Sequence, residues 1–260
     1  MNVNALKKRL GEISNTNKKN NSLWKPKAGK QQVRLVPNKH SPDNPFIELF
    51  FHYDLNGKTY ISPMSFDRPD PIVEFCNELK KTGDKDDWKL GNKMMPKMRV
   101  YAPVVVREEE SEGVRFWGFG KLVYQALLGI ISDDDYGDIT DMKEGHDITV
   151  EFLPAKEINK QFPETNILAR PKKTEVGDSS IVDAIKNQSD VTSIWQEPTY
   201  DFLKNEFASF MNPEGEQDVA DEIASEVAEV SKDASTTETS KAPVEKSGGT
   251  EDEFDKLFNS

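Results

Sequence analysis

The sequence predicts a mainly β chain with inserted helices, an α+β fold set between a basic leading arm and an acidic tail. Three observations point there. Short stretches that alternate apolar and polar residues recur between Trp24 and Phe210, the period of half-buried strands. Other stretches space their apolar residues as helices do. Charge is split along the chain: residues 1–40 hold ten Lys or Arg against one acid, Glu12, a net of +9, and residues 211–260 hold fourteen acids against four Lys, a net of −10.

In chain order, residues 1–22 have a short amphipathic start and an Asn/Lys-rich run with little to bury, and read as a mobile arm. Gln31–Val36 alternates as a strand. Phe46–Tyr53 and Thr59–Ser62 flank an Asn56-Gly57 pair suited to a hairpin turn with positive φ. Asp70-Pro71 is a helix start, a cap followed by proline in the first turn. The helix after it puts Ile72, Val73, Cys76 and Leu79 on one face and ends near Gly83. Met98–Arg107 and Val114–Phe119 form a second hairpin around a charged turn. Lys121–Ile131 is a helix, Ser132–Gly145 an acidic loop, Asp147–Leu153 a strand and Asn166–Ala169 a last strand. Tyr200–Met211 is an amphipathic helix that closes the core. About five mostly antiparallel strands with helices between them fit an OB-fold barrel. Three regions result: the basic arm 1–22, the core 23–211 and an acidic, disordered tail 212–260.

The totals exclude several classes. The 260 residues are 35% hydrophobic and 31% charged, with a net charge of −12. The single cysteine, Cys76, excludes an intramolecular disulfide and a four-thiolate zinc site. No apolar run approaches the ~20 residues of a membrane span, and no apolar signal segment opens the chain; a reducing cytoplasm is expected. His40, His52 and His146 are scattered without ligand spacing. Asp133-Asp134-Asp135 reads as a solvated loop. No phosphate-binding glycine loop and no nucleophile motif is present. No enzyme is expected.

What remains is rings interleaved with cations. Arg99 and Tyr101 alternate on one strand, and Arg115 and Trp117 on its partner. Such a face suits unpaired nucleotides: bases stack on rings at ~1–3 kcal/mol each and cations follow the phosphates. The other reading of Tyr101 and Trp117 is as ordinary cross-strand core partners. Trp24-Lys25 with Arg34, the hairpin tyrosines Tyr53 and Tyr60 with Arg68 after them, Phe162, and Arg170 with Lys172 extend the set. Lys7, Lys8 and Arg9 contact either phosphates or an acidic patch of a neighbouring copy. Phe254, Leu257 and Phe258 stand among acids in the tail as anchors for a protein partner.

The segments Leu55-Asn56-Gly57-Lys58-Thr59-Tyr60-Ile61, Val100-Tyr101-Ala102-Pro103-Val104-Val105-Val106 and Phe116-Trp117-Gly118-Phe119-Gly120-Lys121, in that order between a basic arm and an acidic tail, resemble the T-even-type bacteriophage single-stranded DNA-binding (helix-destabilising) proteins. The resemblance covers most of residues 1–210, and the tail by character. It implies cooperative coating of single-stranded DNA without sequence preference during phage DNA replication, recombination and repair, in the cytoplasm of the infected host. It implies that Lys7, Lys8 and Arg9 join neighbouring copies, that Tyr101, Trp117 and Phe162 line the DNA cleft with Lys121 beside it, and that the tail recruits replisome and recombination proteins and covers the cleft when DNA is absent. One departure stands out. The best-known members hold a structural zinc through one His and three Cys, two in a Cys-Pro-Val-Cys stretch; here the corresponding region reads Asp70-Pro71-Ile72-Val73, with Met64 near another ligand position and His52 at best one place off. The zinc is expected to be lost, with no other cofactor. An RNA-binding regulator and a protein-interaction adaptor of the replisome remain the rival readings.

Overall fold

The computed structural model describes residues 22–212. They divide into two compact units, one of the segment up to Leu49 with Met98–Trp195, the other of Phe50–Lys97 with the segment from Gln196. Among the described residues, each unit is built from two separate stretches of chain.

The first unit is a mixed sheet with order β1-β6-β5-β2-β7-β8. Its strands are β1 (Leu23–Trp24), β2 (Gly29–Leu35), β5 (Lys97–Val106), β6 (Val114–Phe119), β7 (His146–Leu153) and β8 (Glu164–Lys173), with β3 (Ile47–Leu55) starting here and running on into the second unit. The short β1 pairs parallel to β6, and the other neighbours on this path are antiparallel. The path ends at β1 and β8 without closing. The barrel closure expected from the strand count is therefore not seen in the ladder, whereas the α+β class is.

The core of this unit gathers Trp24, Val33, Leu35, Val100, Ala102, Val104, Trp117, Phe119, Ile148 and Val150 on one face of the sheet, with Val123 and Leu127 from a helix, Lys121–Ile131. A smaller cluster of Val36, Val105, Val176, Ile181 and Ile185 covers the other face. Its helix, Ser179–Lys186, starts at Asp178, whose carboxylate accepts from the Ser180 and Ile181 amides.

In the second unit, β3 pairs with β4 (Lys58–Ile61). Asn56 (φ 53) and Gly57 (φ 70) supply the two positive φ angles of their turn, as the Asn-Gly pair demands. Three helices follow: α1 (Pro71–Lys81), α2 (Lys85–Met94) and, numbering the two helices of the first unit α3 and α4, α5 (Tyr200–Met211). Leu55, Ile72, Cys76, Leu203 and Phe207 form their common core. The sequence reading misses α2 because KDDWKLGNKM lacks an apolar stripe and has a glycine inside. Two local features make it a helix. Asp84 caps it, accepting from Asp86 N and Asp87 N, and Gly91 lets it approach α1 so closely that an added Cβ would stand 2.8 Å from the Cys76 carbonyl oxygen. No helix among the described residues is long and apolar enough to cross a membrane.

Candidate nucleic-acid interface

The β5–β6 register decides which rings face where. Tyr101 pairs with Gly118, and Ala102 with Trp117. Paired residues of an antiparallel ladder share a face and neighbours in sequence do not, so the side chains of Tyr101 and Trp117 leave the sheet on opposite sides. This corrects the expectation of a single flat face carrying both.

Trp117 enters the core, 1% exposed, with Trp24 edge-on to it at 5.6 Å between ring centroids and Phe119 at 4.7 Å. The core-partner reading of Tyr101 and Trp117 is the one the burial of both matches, although the register sends them to opposite sides. Tyr101 lies across Gly118, where an added Cβ would meet the tyrosine ring at 2.6 Å. The missing side chain of Gly118 is what allows the ring to lie there. Trp195 packs against the same ring at 4.9 Å between centroids, tilted by 57°. Sequence reasoning missed both residues. Gly118 was visible as the one small residue in an aromatic run; Trp195 follows a short 3-10 turn, Val191–Ile194, with no pattern to tie it to a strand.

These residues border a cleft of about 360 Å³ within the first unit, lined by Trp24, Lys25, Arg99, Tyr101, Trp117 and Gly118 and by Phe119, Gly120, Phe152 and Pro163. Of the expected site residues, the structure brings Trp24, Lys25, Arg99, Tyr101 and Trp117 together there. Trp24, Tyr101 and Trp117 are floor rather than rim, since all three are buried, with Tyr101 at 8% exposure. Lys25 is exposed. Arg99 is half-buried and donates to the Gly118 carbonyl at 3.2 Å. Gly120 begins α3 with no side-chain cap on its first amides, so the positive end of the helix dipole adds to the cations at that border. Lys121 is exposed on its first turn. Phe162 is half-buried and precedes the cleft residue Pro163.

Other expected contacts are elsewhere. Arg34, expected as a surface cation, is fully buried. It donates to Asp147 Oδ1 at 3.3 Å, to Thr174 and to the Asp141 carbonyl. Burial pushes its guanidinium below its ordinary value against the pull of Asp147. Asp147 also holds Arg107 at 2.8 Å. A cation committed to this buried pair is not open to a phosphate. The reason lies in the alternation of β2: Val33 and Arg34 point to opposite sides, and both sides of the strand are covered. Arg115, 8% exposed, donates to Glu109 at 2.6 Å. Hydrogen bonds from Lys27 and then Arg115 hold the Glu109 carboxyl below its usual value. Arg170 and Lys172 are exposed on the edge strand β8.

Tyr53, Tyr60 and Arg68 belong to the second unit. The Tyr60 hydroxyl donates to Glu206 at 3.0 Å, and burial together with that carboxylate raises its pKa. Arg68 donates to both oxygens of Glu197, at 3.1 and 2.9 Å. Tyr53 packs beside Phe51, 5.9 Å between centroids. Lys7, Lys8 and Arg9, and Phe254, Leu257 and Phe258, lie outside the described residues.

A buried polar cluster stands where the family resemblance implies zinc. Asp70 Oδ1 accepts from the Ile72 and Val73 amides, while its Oδ2 accepts from Ser62 Oγ and lies 2.9 Å from His52 Nε2. Burial alone would raise the Asp70 carboxyl, but the bond and charge of His52, then Ser62 and the Val73 amide, hold it below its usual value. Burial pushes the Cys76 thiol up to about 11. Among the described residues no three His, Cys, Asp or Glu side chains gather as a metal site requires.

An aromatic-floored cleft bordered by cations and a helix N-terminus combines the groups that nucleic-acid recognition uses. The family model described as gp32 DNA binding protein like matches residues 27–211. The chain belongs to that family, and DNA is therefore its partner. Comparison with curated proteins gives no match.

Proposed function

We propose that this protein binds single-stranded DNA without sequence preference and coats it cooperatively during phage replication, recombination and repair. The observation that carries the reading is the cleft in which the Tyr101 ring, laid over Gly118 and backed by Trp195, shares a border with Lys25 and Arg99. A duplex keeps its base faces stacked away; an unpaired strand offers them to such a ring. Lys25, Lys121 and the α3 N-terminus draw the phosphates, and counterion release makes affinity fall with salt. Lys7, Lys8 and Arg9 then join adjacent copies, and the acidic tail competes for the cleft and recruits replisome proteins. No reaction is assigned to the chain. The host cytoplasm is where such a protein would work.

We also propose that the family zinc is not bound. Both Asp70 oxygens are engaged by hydrogen bonds, His52 faces Asp70, and Cys76 is a protonated thiol in an apolar core. These donors do not fit a Cys-rich tetrahedral site.

Titration of the full chain with poly-dT, poly-rU and duplex at several salt concentrations, followed by tryptophan fluorescence, tests the function. Strong quenching by poly-dT, lost steeply with salt and weak with duplex, is expected. Equal response to duplex, or none to poly-dT, refutes it. One zinc per purified chain refutes the second proposal.

A further inference from the structure

The second unit has a cavity of its own, about 410 Å³. Its walls include Leu90, Met94 and Met95 from α2 and its end, and Phe207, Phe210 and Met211 from α5. Leu90 is 38% and Phe210 43% exposed, so the apolar wall is open. Methionines make such a surface adaptable to an incoming apolar group. Lys93 and Lys97 also line it, against one carboxylate, Asp54.

The chain carries a segment of matching chemistry. In Glu251-Asp252-Glu253-Phe254-Asp255-Lys256-Leu257-Phe258 the apolar residues fall at i, i+3 and i+4. That spacing puts them on one face of a helical turn, the pattern of a helix laid into an apolar groove. Four acids surround them, opposite in sign to Lys93 and Lys97. Reach is sufficient. α5, which carries Phe207, Phe210 and Met211, ends one residue before Asn212; Phe254 follows 42 residues after Asn212, and a random-coil chain of that length spans roughly 36 Å root-mean-square. A tether of that kind sets an effective concentration of order mM, so a weak contact suffices.

We propose that Phe254, Leu257 and Phe258 dock in this cavity of their own chain. The tail then has a second resting place besides the DNA cleft. Its apolar anchors are covered until a partner competes them away, and covering them does not require the DNA cleft to be occupied. The inference goes beyond the DNA-binding reading and does not depend on it.

The test uses the full chain without DNA. A nitroxide is placed through Ser260→Cys; the buried Cys76 thiol, with its pKa pushed up to about 11, stays unmodified. Methionine methyls are followed by carbon-13 NMR. Met94 and Met95 are expected to lose most of their intensity, while Met98 and Met142 of the first unit keep theirs. Phe254→Asp with Phe258→Asp restores the two signals. Undisturbed Met94 and Met95 methyls, or broadening that survives the double substitution, overturns the proposal. So does broadening that appears equally when spin label and carbon-13 are on different molecules, which assigns the cavity to a second copy.

Discussion

The cleft of the first unit and the cavity of the second have nearly the same volume, about 360 and 410 Å³, but different walls. The first is made by strands. Its rings are fixed by register, with Tyr101 over a glycine and Trp117 sunk in the core, and its border has Lys25, Arg99 and the N-terminus of α3. The second is made mostly by helices beside the end of β3, and its apolar wall is methionine, leucine and phenylalanine. Rigid rings beside donors suit a repeating polyanion with flat bases. Soft apolar walls with two lysines beside them suit aliphatic and aromatic side chains set among acids. Size does not separate the two; the kind of backbone that holds each wall does.

Substitutions divide along the same line. The largest effects fall on stability. Trp117→Ala removes a ring from the core of the first unit and should cost about 3–5 kcal/mol, read as a lower denaturation midpoint. Asp70→Ala leaves His52 and Ser62 unpaired in the second unit and removes the α1 cap, at a similar cost of about 3–5 kcal/mol. Should Trp117→Ala leave the midpoint unchanged while abolishing poly-dT binding, the assignment of that ring to the core is wrong. Tyr101→Ala comes next: a loss of ~1–3 kcal/mol in poly-dT affinity, together with a lower midpoint, because that ring is 8% exposed and packs against Trp195. Gly118→Ala should push the same ring out of place and reproduce part of that loss, about 1 kcal/mol, within the range for one stacked base. Wild-type affinity in this variant would mean that the position of the ring is unimportant. Lys25→Ala is the smallest, lowering the salt slope of binding by about 1.

Acid gives a further contrast. The Asp70 carboxyl titrates below its ordinary value because His52 and Ser62 favour its charged form. Its contribution is complete above the unfolded carboxyl value near 3.9 and is lost as pH falls through the lower folded value. Acid unfolding monitored by circular dichroism should therefore be less steep in this range for Asp70→Asn than for the parent chain.

Much of this was legible in the sequence. Alternation located β2 to β8 but not the two-residue β1, Asn56-Gly57 located the hairpin turn and Asp70-Pro71 the start of α1, because each is a local signal with a local cause. The composition of the cleft was legible too, through Trp24, Lys25, Arg99 and Tyr101. Facing was not. Arg34 alternates with apolar neighbours as a surface cation does, and only the arrival of Asp147, 113 residues later, turns it into a buried pair. The same holds for Trp117, whose direction depends on a register one residue from its mirror image. Trp195 and α2 were invisible for the opposite reason, since their placement comes from a distant ring and from one glycine contact.

The discontinuous build of both units bears on synthesis. Strand β2 waits for β7, and the second unit waits for α5, whose Glu206 meets Tyr60 across 146 residues. A ribosome delivering about 5–20 residues per second must therefore finish nearly the whole core before either unit closes. Trp195, which backs Tyr101, emerges close to last. The Tyr101–Trp195 contact thus forms only after the rest of the first unit has been made.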